Sequence, residues 1–182
     1  MLRNDRKILI SKWNPSKFNW KEQSSELIYQ HHERFDKWFD PDRFNWETSS
    51  GPLCTLCSKY FLDWFDPELF NWKGNSENLC FSCSRYFMIW FDQEKFNWKR
   101  GSSVLCSQCY DLFAIWFDPD RFNWKDASYD LCRFCNRHFD IWFDPELFNW
   151  NTKDIRDVLE EYCKKHKKRW MPHYVIKTIE TE

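Results

Sequence analysis

The sequence predicts an all-α protein, a short solenoid of tandem 26-residue helix–helix repeats with atypical capping units at both ends. Three observations carry this reading. The block Trp64-Phe65-Asp66-Pro67-Glu68-Leu69-Phe70-Asn71-Trp72 returns without insertion or deletion at 38–46, 90–98, 116–124 and 142–150, and self-similarity at a fixed period is the signature of a repeat architecture. Between the blocks, recurring residues fall four, four and three positions apart, which is one face of a helix rather than the period of two of a strand. Only three glycines occur, too few for a turn-rich β fold or for flexible linkers.

Residues 1–23 form a lead-in. It is mildly basic through Arg3, Arg6, Lys7 and Lys12, carries the apolar Ile8-Leu9-Ile10, and ends in a worn first block at 12–20 with Asn14 where later copies have Asp. The repeat array proper, about five units, runs over 24–150, and a capping helix and tail occupy 151–182. In the third copy the recurring residues of the long helix are Leu79, Cys83, Phe87 and Trp90. The same columns read Leu53, Cys57, Phe61, Trp64, then Leu105, Cys109, Phe113, Trp116, then Leu131, Cys135, Phe139, Trp142. The first unit gives Leu27, His31, Phe35 and Trp38.

The pattern predicts one long helix over 76–90, with Ser76 as its cap and its end at Asp-Pro, because proline disfavours the α conformation in the residue before it. Asp66 then caps a short helix over 67–72, with Pro67 in its first turn and Glu68 near its positive end. Residues 73–75 are expected to be a polar loop. After Trp150 an amphipathic helix is expected over about 152–168, with Ile155, Val158, Leu159 and Tyr162 on one side. The tail from Trp170, with Tyr174-Val175-Ile176, reads as an extended strip.

Hydrophobic residues make up 42% of the 182, and half of that is aromatic, at 21%. Twelve of the 13 tryptophans lie in repeat positions, so the aromatics are assigned to a packed core. Charged residues nearly cancel to a net −1, which argues against a protein wrapped electrostatically around nucleic acid. The first residues lack a secretory signal pattern, and no run approaches the ~18 apolar residues of a membrane span. An intracellular, cytoplasmic setting without membrane contact is therefore expected, and in that reducing compartment cysteines favour metal over disulfides.

Eight of the nine cysteines form four Cys-x-x-Cys pairs: Cys54/Cys57, Cys80/Cys83, Cys106/Cys109 and Cys132/Cys135. On a helix, residues three apart share a side, so each pair can offer two sulfurs to one point. Two neighbouring pairs would complete a tetrahedral Cys₄ site, the coordination that structural zinc prefers. About two zinc ions follow, with 54/57 joined to 80/83 and 106/109 to 132/135 as the simplest scheme. Buried unliganded thiols and disulfides within or between repeats stay open as alternatives. Thioredoxin-like redox chemistry is disfavoured, since no βαβ pattern surrounds any pair. Cys163/His166 form one more pair, outside the repeat phase, and His31/His32 lie at the cysteine level of the first unit. Both are weighed as end sites against ordinary polar surface.

The repeated Asp40, Asp66, Asp92, Asp118 and Asp144 suit caps better than catalytic carboxylates. Asn19, Asn45, Asn71, Asn97, Asn123 and Asn149 suit side chains that satisfy backbone groups between stacked repeats. No nucleotide-binding or hydrolase motif is present. The basic run Lys164-Lys165-His166-Lys167-Lys168-Arg169 reads as the cationic end of the last helix. Non-repeating columns vary, one of them through Leu62, Met88, Ala114 and Asp140, and variable columns on a regular stack are how solenoids make a specific binding surface.

The block Trp-Phe-Asp-Pro-x-x-Phe-Asn-Trp with Leu-Cys-x-x-Cys resembles uncharacterised short tandem-repeat proteins of large nucleocytoplasmic DNA viruses, over about residues 12–150. The resemblance implies a viral or virion-associated setting and carries over no functional site. The expected function is a non-enzymatic, zinc-stapled helical repeat protein acting as an interaction or structural module with a protein partner. The alternatives are a zinc-containing nucleic-acid-binding protein and, more distantly, a Cys-x-x-Cys redox protein.

Overall fold

The computed structural model describes residues 13–180. Among these the only regular elements are helices: α1 (Trp20–His31), α2 (Phe35–Trp38), α3 (Trp46–Leu56), α4 (Phe61–Trp64), α5 (Trp72–Cys83), α6 (Phe87–Trp90), α7 (Trp98–Gln108), α8 (Phe113–Trp116), α9 (Trp124–Phe134), α10 (Phe139–Trp142), α11 (Ile155–Tyr162) and α12 (Lys167–Glu180). The all-α, tandem-repeat fold expected from the 26-residue period is therefore what forms. The chain divides into two compact units, Met1–Phe96 and Asn97–Glu182. In the first, α3 packs between α1 and α5; in the second, α9 packs between α7 and α11.

The long helix lies four residues earlier than the pattern predicts. It begins inside the nine-residue block, at Trp72, and the predicted loop 73–75 is its first turn. Asn71 is the N-cap, its Oδ1 accepting the Gly74 N–H at 3.0 Å. Asn45, Asn97 and Asn123 cap α3, α7 and α9 in the same way. Asparagine is among the strongest N-caps because its short side chain satisfies one of the orphan N–H groups of the first turn. Ser76 is accordingly not a cap. It is buried within the helix, its hydroxyl donating back to the Trp72 carbonyl at 2.5 Å.

The helix also ends earlier, at the second cysteine. Cys57 leaves the α region at φ −113°, ψ 20°, a 3₁₀ turn follows at Ser58–Tyr60, and α4 restarts as a single turn. The Cys57 carbonyl accepts the Tyr60 N–H and the Trp64 indole N–H, each at 2.9 Å. The same indole bond to the second-cysteine carbonyl recurs from Trp90 to Cys83, Trp116 to Cys109 and Trp142 to Cys135. The invariant tryptophan thus caps a helix break that the four–four–three spacing does not reveal.

Nor is 67–72 a short helix. Asp66 folds a turn there: its carbonyl accepts the Phe70 N–H at 3.0 Å and its carboxylate the Glu68 N–H at 2.8 Å. The second tryptophan of the block ties this turn to the next helix, Trp72 donating its indole N–H to the Pro67 carbonyl at 2.8 Å.

The C-terminus also differs from the pattern. Cys163 and Trp170 are in phase with the repeats, in a sixth unit displaced by two extra residues in the loop after Trp150. Leu159, Cys163 and Trp170 are all fully buried, and Trp170 Nε1 donates to the Cys163 carbonyl at 3.1 Å, the bond each complete unit makes. The loop includes Asp154 in the left-handed conformation, φ 61°. Lys167 stands exposed in the column that holds phenylalanine elsewhere. The tail described as far as Glu180 is helical rather than an extended strip. The lead-in segment Ile8-Leu9-Ile10 lies outside the described residues.

Candidate functional site

Repeats are joined by two recurring polar side chains. Asn71 Nδ2 donates to the Glu47 carbonyl of the preceding copy at 2.6 Å, while the Asn71 backbone N–H donates to the Ser50 hydroxyl at 3.2 Å. Ser50 in turn donates to the Trp46 carbonyl at 2.5 Å. Asn45 with Lys21 and Ser24, Asn123 with Lys99 and Ser102, and Asn149 with Lys125 and Ser128 repeat the arrangement. The asparagine column thus satisfies backbone groups between copies. The serine partners Ser24, Ser50, Ser102 and Ser128 stand in a column that returns every 26 residues, with Ser76 at the same position of its copy.

The aromatic columns are core. Phe61 stacks on Phe65 at 4.7 Å and on Tyr86 of the next copy at 4.6 Å, with an edge toward Trp64 at 5.1 Å. In the second unit His138 takes the tyrosine's place on Phe113, and His166 does so on Phe139, at ring separations of 4.6 and 4.3 Å. His166 is therefore an inter-repeat stacking partner. In the first unit the His31 carbonyl receives the Trp38 indole at 2.8 Å, and His32 Nδ1 lies 3.2 Å from the Ile28 carbonyl.

The cysteines meet across copies. The Cys54 thiol lies against the Cys83 thiol, and Cys83 Sγ is 3.9 Å from the Cys54 carbonyl. Cys106 meets Cys135 in the same way, Sγ to carbonyl 3.8 Å. Cys132 meets Cys163 at 3.9 Å. In each of these three junctions the first cysteine of one copy faces the second-column cysteine of the next. The two sulfurs of one Cys-x-x-Cys therefore serve different junctions: Cys132 faces forward to Cys163, and Cys135 faces back to Cys106. Cys57, Cys80 and Cys109 are buried in the same columns. Burial raises the thiols of Cys54, Cys106 and Cys132 well above the ordinary cysteine value and pushes Cys57 up to about 12. These are neutral thiols, not activated nucleophiles. Among the described residues no group of three or more His, Cys, Asp or Glu side chains is gathered so as to hold a metal ion.

Of the basic run, Lys164–His166 form a 3₁₀ turn just past the C-terminal end of α11, where the dipole favours cations, and residues 167–169 open α12. Charges of the run also meet acidic neighbours. Arg169 pairs with Asp140 and lies over the Phe139 ring at 5.3 Å, and Lys167 pairs with Glu160 at 2.8 Å.

Large apolar side chains are exposed on the short helices as well as at Tyr29, Phe81 and Ile176. The short helices expose Leu62, Met88 and Ile89 in the first unit, and Ile115 and Ile141 in the second, Met88 at 71% and Leu62 at 68%. No helix among the described residues is long and apolar enough to cross a membrane. Comparison of the chain with protein-family models, curated proteins and solved structures finds no match.

Proposed function

We propose that this chain is a non-enzymatic helical repeat protein, an interaction or structural module that offers its short-helix faces to a protein partner. One observation carries the reading. The recurring residues are committed to core, caps or inter-repeat bonds, whereas the positions between the invariant Phe and Trp vary, and Leu62, Met88, Ile89, Ile115 and Ile141 among them are large, apolar and exposed, beside Asp36, Lys37, Asp63, Ala114 and Asp140. Large exposed apolar side chains on the short helices of a repeat mark an interaction face. Neutral, buried thiols and carboxylates engaged in turns supply no candidate nucleophile or general base.

Proximity cross-linking of the full chain, compared with a Met88→Glu/Ile89→Glu variant and a Lys125→Glu control, tests the proposal. Loss of a defined protein set with the double variant alone, with helix content unchanged, supports it. Identical sets from all three refute it. A salt-sensitive affinity for single-stranded nucleic acid would move the assignment to the nucleic-acid alternative.

A further inference from the structure

We infer that Cys54–Cys83, Cys106–Cys135 and Cys132–Cys163 are disulfide-forming sites, covalent rungs between one repeat and the next that an oxidising setting closes. This goes beyond the interaction module and does not rest on it.

Three observations point to it. Three first-column cysteines lie against the second-column cysteine of the following copy, whose Sγ is 3.9, 3.8 and 3.9 Å from the carbonyl of Cys54, Cys106 and Cys132. No further His, Cys, Asp or Glu joins any described pair to make a metal-holding group. The terminal copies follow the same rule. The sixth copy has Cys163, facing back to Cys132, but Glu160 in its first-cysteine column, and the described residues after it hold no further copy of the block. Packing alone gives no reason for a cysteine there without its Cys-x-x-Cys mate. Pairing with Cys132 does. At the other end Cys57 has Ile28 in its counterpart column, so it stays a thiol.

Each rung forms by two exchanges with a low-molecular-weight disulfide such as oxidised glutathione. One cysteine thiolate attacks a glutathione sulfur, breaking the glutathione S–S bond and releasing one glutathione thiolate. The partner thiolate then attacks the cysteine sulfur of the mixed disulfide and releases the second. Two cysteine sulfurs are oxidised, one glutathione disulfide is reduced to two thiols, and the two cysteine protons pass to them. Because the folded pairs are fully buried, closure takes place while the chain folds.

The test is refolding of the full chain in a glutathione redox buffer, alkylation in denaturant, and peptide mapping, beside a sample refolded under dithiothreitol. Cross-linked peptides joining 54 to 83, 106 to 135 and 132 to 163 are expected, with Cys57 alkylated and the oxidised protein unfolding at higher denaturant. Cys83→Ala is expected to free Cys54 while leaving the 132–163 link. Bonds within one copy, such as Cys54–Cys57, overturn the inference. So do scrambled bonds, or thiols that all remain alkylatable in a helical product. Retention of about two zinc ions per chain with no cross-link also overturns it, and restores the four-sulfur staple.

Discussion

Replacing Ser50 by alanine removes one atom and two hydrogen bonds. The Ser50 hydroxyl donates to the Trp46 carbonyl at 2.5 Å and accepts the Asn71 N–H of the next copy at 3.2 Å, in a fully buried position. The Trp46 carbonyl belongs to the first turn of α3 and keeps its place in the helix ladder. The Asn71 N–H has no such fallback, and a buried donor left unpaired costs about 1–3 kcal/mol. Alanine's better helix propensity offsets roughly 0.5 kcal/mol of that. The net expectation is a loss of about 1–2 kcal/mol. In a chain of this size each kcal/mol lowers the melting temperature by about 2–4 °C. The assay is chemical denaturation followed by tryptophan fluorescence, with hydrogen exchange read at the Asn71 amide. Ser49→Ala is the control, because the equally buried Ser49 hydroxyl meets the Ser25 and Thr48 hydroxyls and its loss orphans no backbone N–H. A Ser50→Ala protein as stable as wild type, with the Asn71 amide still protected, would refute the inter-repeat role of the serine column.

Trp64→Phe removes the indole bond to the Cys57 carbonyl and leaves a void beside a ring that is 2% exposed. The expected cost is about 2–3 kcal/mol, and a loss below about 1 kcal/mol would show that the helix break holds without it. His138 is held below the ordinary histidine value, first by burial against Phe113 and then by Arg137. The unfolded chain therefore takes up this proton more readily, so the stacking contribution is complete above the ordinary histidine value of about 6.5 and declines as pH falls through it. Relative to His138→Leu, which copies Leu112 of the preceding unit, wild type should lose stability between pH 8 and 5. A pH-independent difference would contradict this. With the Cys57 thiol pushed up to about 12, a thiol reagent at pH 8 should leave it unlabelled in the folded protein and label it at once in denaturant. Fast labelling of the native chain would show that the column opens.

The period of 26 and the four–four–three spacing already contain the fold class and the buried face of each unit, because both follow from side-chain periodicity along one chain. Helix ends were harder to read. The 3₁₀ turn at Cys57 preserves the spacing Leu53, Cys57, Phe61, Trp64, so an interrupted helix and a continuous one share one pattern. The start at Trp72 was hidden because Asp-Pro is a conventional opening signal, whereas here Asp66 closes a turn and Asn71 does the capping. Two inserted residues before α11 concealed the last unit. Once Trp170 is seen to donate to Cys163, as Trp142 does to Cys135, its phase is plain.

The candidate site divides along the same line. That the cysteines act as a repeated pair of columns, and that the asparagines bridge copies, could be argued from recurrence, since a residue needed at every junction must recur at every junction. Which sulfur meets which depends on the stagger between neighbouring long helices. The spacing of Cys54 and Cys57 on one helix is compatible with two sulfurs converging on a shared ion or diverging to opposite neighbours. Only the packing of the helices sets Cys54 against Cys83, and Cys132 against Cys163 with Cys135 against Cys106. A one-dimensional pattern specifies the face a residue occupies, whereas the partner across that face is set by how far one helix slides along the next.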